Sequence, residues 1–274
     1  MGNVEFVRFF EKTMIQKKVV YTAVFGNYDQ VSAVNESWDC DFICFTDNPN
    51  LVSHGWKVVE IPLNGESPAQ VNRRYKLLPH KYFPNHEHSL YLDGNVKIVE
   101  DPSHLFEKYL DKGVIAIPRH PFRNCAYLEA RLCIKSMLAN KEVTENQMKR
   151  YAAEGFPKNF GLTANRVLLR KHHDASVIVL MESWWDEYCM GGNRDQLSLS
   201  YLIWRYKINV LELLESPGFG NHCFEIIPHK VDKSKSVVER LTSRVNRKMY
   251  LAYYYRIIAD ALLRFSRLNN KIEK

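Results

Sequence analysis

Short apolar segments alternate with helical segments along most of the chain, and this alternation limits its fold more than any other feature. Strands are predicted at 19–25, 42–46, 57–61, 89–92, 114–117, 167–170 and 208–211. Helices are predicted at 68–80, 102–110, 124–139, 144–153, 172–190 and 194–206. Continuous β-branched and aromatic strands that alternate with helices indicate an α/β sheet covered on both faces.

The charge of the chain is uneven. Residues 230–274 contain twelve Lys or Arg and four Asp or Glu, so the first 229 residues hold 26 basic and 27 acidic side chains. Two amphipathic helical pieces, 237–249 and 250–268, are predicted in the basic part, with a break near Met249. We therefore divide the chain into an N-terminal segment (1–18), an α/β domain (19–230) and a basic amphipathic helical tail (231–274).

Composition excludes several classes of protein. With 46% hydrophobic and 25% charged residues the chain is globular, and no apolar run approaches the roughly 18 residues of a membrane-spanning helix. The charged N-terminus does not resemble a secretory signal, and Phe6 breaks the myristoylation pattern. The six cysteines fit neither a CxxC metal site nor a disulfide scaffold, so we expect them reduced and mostly buried. We expect a cytoplasmic protein.

The strongest local motif is Tyr91-Leu92-Asp93-Gly94-Asn95, at the end of a predicted buried strand. Ligands of open α/β sheets bind beyond the carboxyl ends of strands, and carboxylate and amide oxygens suit a hard divalent cation. Asp93 and Asn95 have such oxygens, and Gly94 permits close approach of the backbone. A simple turn explains the same residues, because Asp, Gly and Asn are all favoured in turns.

A run of cationic residues precedes this strand. On a helix, Arg73, Lys76 and His80 share one face and so could meet phosphate oxygens together. The alternative is a solvated helix face, which is the usual role of a charge run.

Two further clusters follow strand or helix ends. In Arg119-His120-Pro121-Phe122-Arg123, completed by Glu129, the side chains suit a sugar or phosphate, although Arg119 and Glu129 could equally form a structural ion pair. Asn193 is a natural helix cap with Asp195 in the first turn, where a carboxylate either complements the helix dipole or acts as a general base.

Two late histidines, His222 and His229, are candidate metal ligands through a ring nitrogen. A single histidine is more often a surface or core residue, and both interpretations remain open.

Taken in order, six motifs resemble one known family. They are VVYTAVFGNYD, DFICFTDNP, RRYKLLPHKYFP, SLYLDGNVKI, RHPFRNCAYLEA and GGNRDQLSLSY. Together they resemble the glycosyltransferase-like domain of bacterial polysaccharide loci and of plant turgor-regulation and seed-mucilage proteins. The resemblance covers roughly residues 19–230 and is much more specific than any single motif.

The resemblance implies a GT-A type α/β fold, a Rossmann-like nucleotide-sugar-binding sheet followed by an acceptor-binding half, and a divalent cation, Mn²⁺ or Mg²⁺. The implied donor-binding residues are Thr22, Phe25, Gly26, Tyr28, Asp47, Arg74, Lys76, Asp93, Gly94 and Asn95. The implied metal ligands are Asp93, Asn95, His229 and His222. The implied acceptor-binding residues are His120, Arg123, Glu129 and Arg194, and Asp195 is the implied catalytic carboxylate. Asn95 replaces the second acidic residue of the usual Asp-x-Asp motif.

The expected activity is sugar transfer from a nucleotide sugar, with a UDP-sugar expected, to a lipid-linked glycan of a bacterial surface polysaccharide such as O-antigen or capsule. The basic tail suits an anionic membrane surface, which predicts peripheral association with the inner face of the membrane; packing on the body or on a partner subunit is the alternative. No nucleic-acid partner is expected, since no reader motif accompanies the basic residues. The alternative function is a non-catalytic carbohydrate-binding or scaffold protein that retains the fold.

Overall fold

The computed structural model describes residues 18–216 and 223–230. Its strands are β1 (Lys18–Val24), β2 (Asp41–Thr46), β3 (Lys57–Glu60), β4 (His88–Leu92), β5 (Val96–Ile98), β6 (Ile115–Ile117), β7 (Val167–Lys171), β8 (Leu211–Glu212) and β9 (Phe224–Ile226). Its helices are α1 (Pro68–Leu77), α2 (Ser103–Leu110), α3 (Ala126–Lys135), α4 (Lys141–Ala153), α5 (Ala175–Met190) and α6 (Asp195–Tyr206). This confirms the predicted alternation of strands and helices.

Seven strands form one sheet in the order β3-β2-β1-β4-β7-β6-β8. The first four are parallel, β7 runs antiparallel to both of its neighbours, and β8 is parallel to β6. The chain adds β2 and β3 on one side of β1 and then places β4 on the other side. This reversal opens a crevice beyond the carboxyl ends of β1 and β4, where open α/β sheets bind ligands.

The sheet is buried on both faces. On one face Tyr21 and Phe45 pack with residues of α1, α3, α4, α5 and α6. On the other face Val20 and Leu90 pack with residues of α2 and of a small antiparallel sheet of β5 and β9. Burial on both faces explains why the central strands are continuous apolar runs rather than alternating ones.

The ends of helices follow local signals. The Ser67 side chain caps α1 by accepting a hydrogen bond from the Gln70 amide, as predicted, but α1 ends at Leu77 because Pro79 cannot continue it. Helix α5 begins at Ala175 rather than at 172, because Asp174 accepts hydrogen bonds from the Ser176 and Val177 amides and so caps the helix there.

Four further boundary predictions were wrong. Helix α3 ends before Met137, whose backbone is left-handed, and Asn140 caps α4 three residues earlier than predicted. Asn193 has a left-handed φ of 56° and lies outside α6, whose N-cap is Arg194. The predicted strand at 208–211 is only Leu211–Glu212, held by pairing with β6.

Other sequence predictions concern cysteines and the chain ends. All six cysteines are free and four of them are buried, as expected. Within the described ranges no helix is both long and apolar enough to cross a bilayer. The predicted tail, nearly all of the N-terminal segment and His222 lie outside the described residues.

Candidate active site

Asp93 lies immediately after β4, at the crevice between β4 and β1. Its carboxylate Oδ1 accepts hydrogen bonds from Lys76 Nζ at 3.1 Å and from the Tyr91 hydroxyl at 3.1 Å, and the side chain is 27% exposed. Burial, with Asp93 nearby, raises the pKa of Tyr91 well above its ordinary value, so the hydroxyl stays protonated. Lys76 and Tyr91 therefore hold the Asp93 carboxylate in place, while part of its side chain stays exposed to solvent.

Gly94 follows Asp93 at a point where no side chain fits. A Cβ there would lie 2.8 Å from Val24 Cγ2 and 3.1 Å from Asp29 Cβ. The Val96 amide donates to the Asp93 carbonyl at 2.9 Å, so residues 93–96 also form a tight turn. Both interpretations of the motif hold at once: it is a turn, and the turn presents Asp93 at the crevice.

Asp195 begins α6 and approaches the same point from the other side. Its carboxylate Oδ2 lies 2.9 Å from Lys76 Nζ and 3.4 Å from Arg73 Nε, and the residue is 6% exposed. Burial by itself would raise the pKa of Asp195, but the charges of Arg73 and Lys76 lower it well below its ordinary value. Asp195 is thus a buried, ionised carboxylate.

Lys76 joins the two aspartates and is itself only 1% exposed. Its ammonium also lies over the Tyr91 ring, 5.1 Å from the ring centroid. Its backbone carbonyl accepts hydrogen bonds from the Tyr21 hydroxyl and from Arg170, each at 3.0 Å. The last turn of α1 is therefore anchored to the centre of the sheet at the residue that links Asp93 to Asp195.

The cationic run on α1 divides between two surfaces. Arg73 joins Lys76 at Asp195, as the helix spacing predicted. Arg74 instead pairs with Glu66 and lies over the Trp185 ring, 5.9 Å from its centroid. His80 lies beyond the end of α1, where it contacts Glu182 at 2.9 Å. The structure thus brings Arg73 to the site, and places neither Arg74 nor His80 there.

The expected nucleoside pocket lies at the ends of β1 and β2. The Gly26 amide, in a left-handed turn with φ 64°, donates to Asp47 Oδ1 at 2.9 Å. Tyr28 is 51% exposed beside them, whereas Phe25 and Thr22 are buried. Gly26, Asp47 and Tyr28 are therefore available to a ligand, and Phe25 and Thr22 lie beneath.

His229 reaches this crevice from the segment that follows β9. Its Nδ1 lies 2.9 Å from the Asp29 carboxylate, its ring centroid lies 4.8 Å from that of Tyr28, and its Nε2 lies 3.4 Å from Asn95 Nδ2. Asn95 also donates to the Ile227 carbonyl at 3.2 Å, while its Oδ1 is buried with no hydrogen-bond partner among the described residues. Two of the expected metal ligands, Asn95 and His229, are thus neighbours.

Two donor atoms of the expected cation site already contact other protein groups. Asp93 Oδ1 accepts hydrogen bonds from Lys76 and Tyr91, and His229 Nε2 faces the side-chain amide nitrogen of Asn95. Among the described residues, no three His, Cys, Asp or Glu side chains are grouped in a way that could hold a metal. These residues do not fit a resident divalent cation, although Asn95 Oδ1 is one buried oxygen that a ligand could use.

The expected acceptor residues form a second cluster after β6. Arg123 Nε pairs with Glu129 at 2.7 Å, and the Arg123 guanidinium lies 2.7 Å from His120 Nε2. Burial first, and then the nearby Arg123 and Arg166 charges, lower the pKa of His120 to about 4, so its ring is neutral at pH 7. The Arg119–Glu129 pair considered from the sequence does not form, since Arg119 pairs with Glu212 at 3.0 Å.

Helix α6 connects this cluster to Asp195. Gln196 Nε2 donates to the Thr163 carbonyl at 3.1 Å, and Thr163 forms a β-bridge with Arg119, next to His120. Arg194 is the N-cap of α6, next to Asp195, and its side chain hydrogen-bonds to Cys133, which contacts Glu129.

Four residues around the site were given no role from the sequence: Tyr21, Asp29, Tyr91 and Arg170. Arg170 is fully buried in β7, donates to the Tyr21 hydroxyl at 2.6 Å, and has its pKa lowered by burial. The signal was present, because an arginine inside an otherwise apolar strand must find buried acceptors. Asp29 gave no such signal, since its partner His229 follows it by 200 residues.

Comparison with known proteins gives a family match. The model of the TOD1/MUCI70 glycosyltransferase-like domain matches residues 45–215. The chain is 29% identical over 156 residues to the probable hexosyltransferase MUCI70 of Arabidopsis thaliana, which is 53% of this chain and 27% of that protein. The chain thus spans about a quarter of the length of this curated relative.

Two solved glycosyltransferase structures align with part of this chain at low TM-scores. The glycosyltransferase GlyE of Streptococcus pneumoniae is 14% identical, with a TM-score of 0.40 over 73% of this chain and 45% of that one. Mouse xyloside xylosyltransferase 1 is 11% identical, with a TM-score of 0.41 over 72% of this chain and 84% of that one. The parallel-rich sheet between helices confirms the predicted α/β class, and the family match confirms the resemblance predicted from the motifs.

Proposed function

The chain belongs to the TOD1/MUCI70 glycosyltransferase-like domain family, and from this premise we propose that it transfers a sugar from a nucleotide-sugar donor to a hydroxyl group of a glycan. One observation carries the proposal. Asp93, at the carboxyl end of β4, and Asp195, at the start of α6, are joined through the Lys76 ammonium at 3.1 and 2.9 Å. A carboxylate pair held across the crevice of an α/β sheet suits a reaction centre better than a packed core does.

We place the donor nucleotide at the carboxyl ends of β1, β2 and β4. Gly26 and Asp47 form the turn against which a nucleoside would lie, and Tyr28 offers an exposed ring for stacking. The Arg73 side chain is 26% exposed and cationic, so it can meet the diphosphate from the side of α1.

Asp195 acts on the acceptor. In the transfer, the bond between the anomeric carbon and the diphosphate oxygen breaks, and its electron pair leaves with the diphosphate. The acceptor oxygen forms the new bond and gives its proton to Asp195. When the diphosphate shares the charge of Arg73, less of that charge acts on Asp195, whose pKa then rises. Donor binding would thus strengthen the base just before it is needed.

We place the acceptor sugar between Asp195 and the cluster of His120, Arg123 and Glu129. Glu129 and Arg123 offer an acceptor and a donor for sugar hydroxyls, and the neutral His120 adds a ring nitrogen without adding charge. Arg194, next to Asp195 and hydrogen-bonded to Cys133, completes this side. A polar, mixed-charge surface of this kind suits an uncharged glycan.

The biological setting is a separate proposal. The lipid-linked bacterial surface glycan, the peripheral location at the inner face of the membrane and the UDP-sugar donor rest on the motif resemblance and on the basic composition of residues 230–274. The divalent cation expected from the sequence, Mn²⁺ or Mg²⁺, remains a prediction. No step above passes through it, because the described residues do not form its ligand shell.

A panel of nucleotide sugars tests the function. Each is incubated with the protein and a mixture of glycan acceptors, and release of the nucleotide and formation of product are measured. We expect one donor to be used, and Asp195→Asn to reduce transfer about 100-fold or more while nucleotide binding persists, since a general base contributes about 10²–10⁴-fold. Asp186→Asn, which alters an exposed carboxylate on α5, is the control and should transfer normally. Glycan binding without nucleotide binding would favour the non-catalytic alternative instead.

A further inference from the structure

Three carboxylates surround the Asp93-Gly94-Asn95 turn, and each has a partner within the protein. Asp93 contacts Lys76, Asp195 contacts Lys76 and Arg73, and Asp29 contacts His229 at 2.9 Å. Asp29 also accepts a hydrogen bond from the Lys230 amide at 3.3 Å. A divalent cation at this turn would therefore have to compete with a protein group that each carboxylate already contacts.

Lys76 is the main competitor because it cannot move aside easily. It is buried to 1% exposure, contacts two carboxylates and the Tyr91 ring, and has its carbonyl fixed by Tyr21 and Arg170. The long side chain of a surface lysine would swing away from an incoming metal. This one is enclosed by the sheet and by α6.

The charges in contact with Lys76 and Arg73 balance without a metal, and the third carboxylate, Asp29, faces His229. Asp93 and Asp195 contribute two negative charges, and Lys76 and Arg73 contribute two positive charges. The second position of the motif is the uncharged Asn95. A divalent ion near Asp93 would meet the Lys76 ammonium, which repels it, with little net negative charge to offset the cost of its dehydration.

We propose that the Lys76 ammonium occupies the place of the divalent cation as the counter-charge of Asp93, so that this chain binds its nucleotide diphosphate without a metal. Arg73, which is partly exposed beside Lys76, contacts the diphosphate charge. The proposal rests on the proposed function and specifies the cofactor requirement of the same site.

Calorimetry on the full chain, stripped of metals, tests this directly. UDP, GDP, CDP, ADP and TDP are titrated in EDTA and again in MnCl₂ or MgCl₂. We expect one nucleotide to bind with dissociation constants that agree within about twofold in all three conditions, a difference of less than about 0.5 kcal/mol. A dissociation constant at least about tenfold tighter with Mn²⁺ or Mg²⁺ would overturn the proposal and leave the glycosyltransferase function intact. If no nucleotide binds under any condition, the proposed function fails and the inference fails with it.

Variants of Lys76 assign the effect to this side chain. We expect Lys76→Gln to weaken nucleotide binding in EDTA at least about tenfold, and Lys76→Arg, which retains the charge, to weaken it less. The single variant Lys76→Gln removes a partner of buried carboxylates, which can prevent folding. The double variant Lys76→Gln/Asp195→Asn removes one positive and one negative charge, so it preserves the net charge of the site and serves in that case. Wild-type affinity in EDTA for a folded variant without the Lys76 ammonium would overturn the assignment.

A spectroscopic measurement adds a readout independent of nucleotide. The electron paramagnetic resonance signal of free Mn²⁺ reports how much of the ion the protein binds. We expect the wild-type protein to leave Mn²⁺ free at roughly 100 μM, the tight end of the range in which weak oxygen-ligand sites bind Ca²⁺. Stoichiometric binding of Mn²⁺ to wild-type protein, abolished by Asp93→Asn, would contradict the proposal.

Discussion

Lys76 Nζ and Asp195 Oδ2 lie 2.9 Å apart and join the last turn of α1 to the first turn of α6. The same ammonium lies 3.1 Å from Asp93, at the end of β4. One buried side chain thus connects the strand that presents the crevice to the helix that carries the candidate base. The stability of the protein and the binding of a nucleotide at this site should depend on the same contacts. Substitutions at a few of these residues therefore test both.

Asp195→Asn should destabilise the protein in a pH-dependent way. At pH 7 we expect a loss of about 3 kcal/mol in the free energy of unfolding, because a buried ion pair loses one partner. The folded-state pKa of Asp195 is lowered, so its contribution is present above the unfolded pKa of about 3.9 and is lost as the pH falls below it. Urea unfolding at neutral and acidic pH measures both values.

The control is Asp186→Asn, an exposed carboxylate on the neighbouring helix, which should change stability by less than about 0.5 kcal/mol. A deficit of Asp195→Asn that stays constant from neutral to acidic pH would mean that the Asp195 charge contributes nothing to stability.

Tyr21→Phe should weaken the support beneath Lys76. The Tyr21 hydroxyl donates to the Lys76 carbonyl and accepts from Arg170, so its removal leaves a buried guanidinium N–H without a partner. We expect about 2 kcal/mol of destabilisation, measured by urea unfolding, since an unsatisfied buried group costs about 1–3 kcal/mol. Tyr82→Phe is the matched control, because no hydrogen bond of its hydroxyl is found among the described residues. Equal effects of the two substitutions would rule out the network.

The fold could be predicted largely from the sequence because its central strands are local signals. The run Val19–Phe25 and the segment around Leu90 are buried on both faces, so their residue types alone identify them. Strands β5 and β9 could not be predicted. Each has three residues, and they pair across more than a hundred positions of the chain, which no local pattern reports.

The sequence selected positions for a candidate site, but not the contacts between them. Asp93 and Asp195 were both selected, and the helix spacing correctly placed Arg73 beside Lys76. The resemblance instead implied Arg74, the neighbouring residue, which pairs with Glu66 away from the site. One residue rotates the side chain by about 100° around a helix, and only the packing of α1 on the sheet fixes which direction is inward.

The two adjacent arginines of α1 give a matched comparison of nucleotide binding. Arg73→Met should weaken binding of a nucleoside diphosphate about 10- to 100-fold, because a hydrogen bond to a charged group contributes about 1.5–3 kcal/mol. Arg74→Met should have little effect, because Arg74 pairs with Glu66 and lies over Trp185 away from the centre. Calorimetric titration of both variants measures the difference. The reverse order of effects would support the implied donor contact of Arg74.

His120 should titrate far below an ordinary histidine. Burial first, and then the charges of Arg123 and Arg166, lower its folded-state pKa to about 4. Between this pKa and that of the unfolded chain, His120 is protonated in the unfolded state but neutral in the folded state. Stability should therefore fall as the pH drops from the unfolded histidine pKa of about 6.5 towards 4, and should be flat above it with respect to this residue. NMR titration of the histidine ring protons measures the pKa, and His120→Gln assigns the signal and should remove this part of the pH dependence. A midpoint near 6.5 would mean that the ring is protonated and solvated at mildly acidic pH, and sugar recognition by a neutral imidazole would then fail between pH 5 and 6.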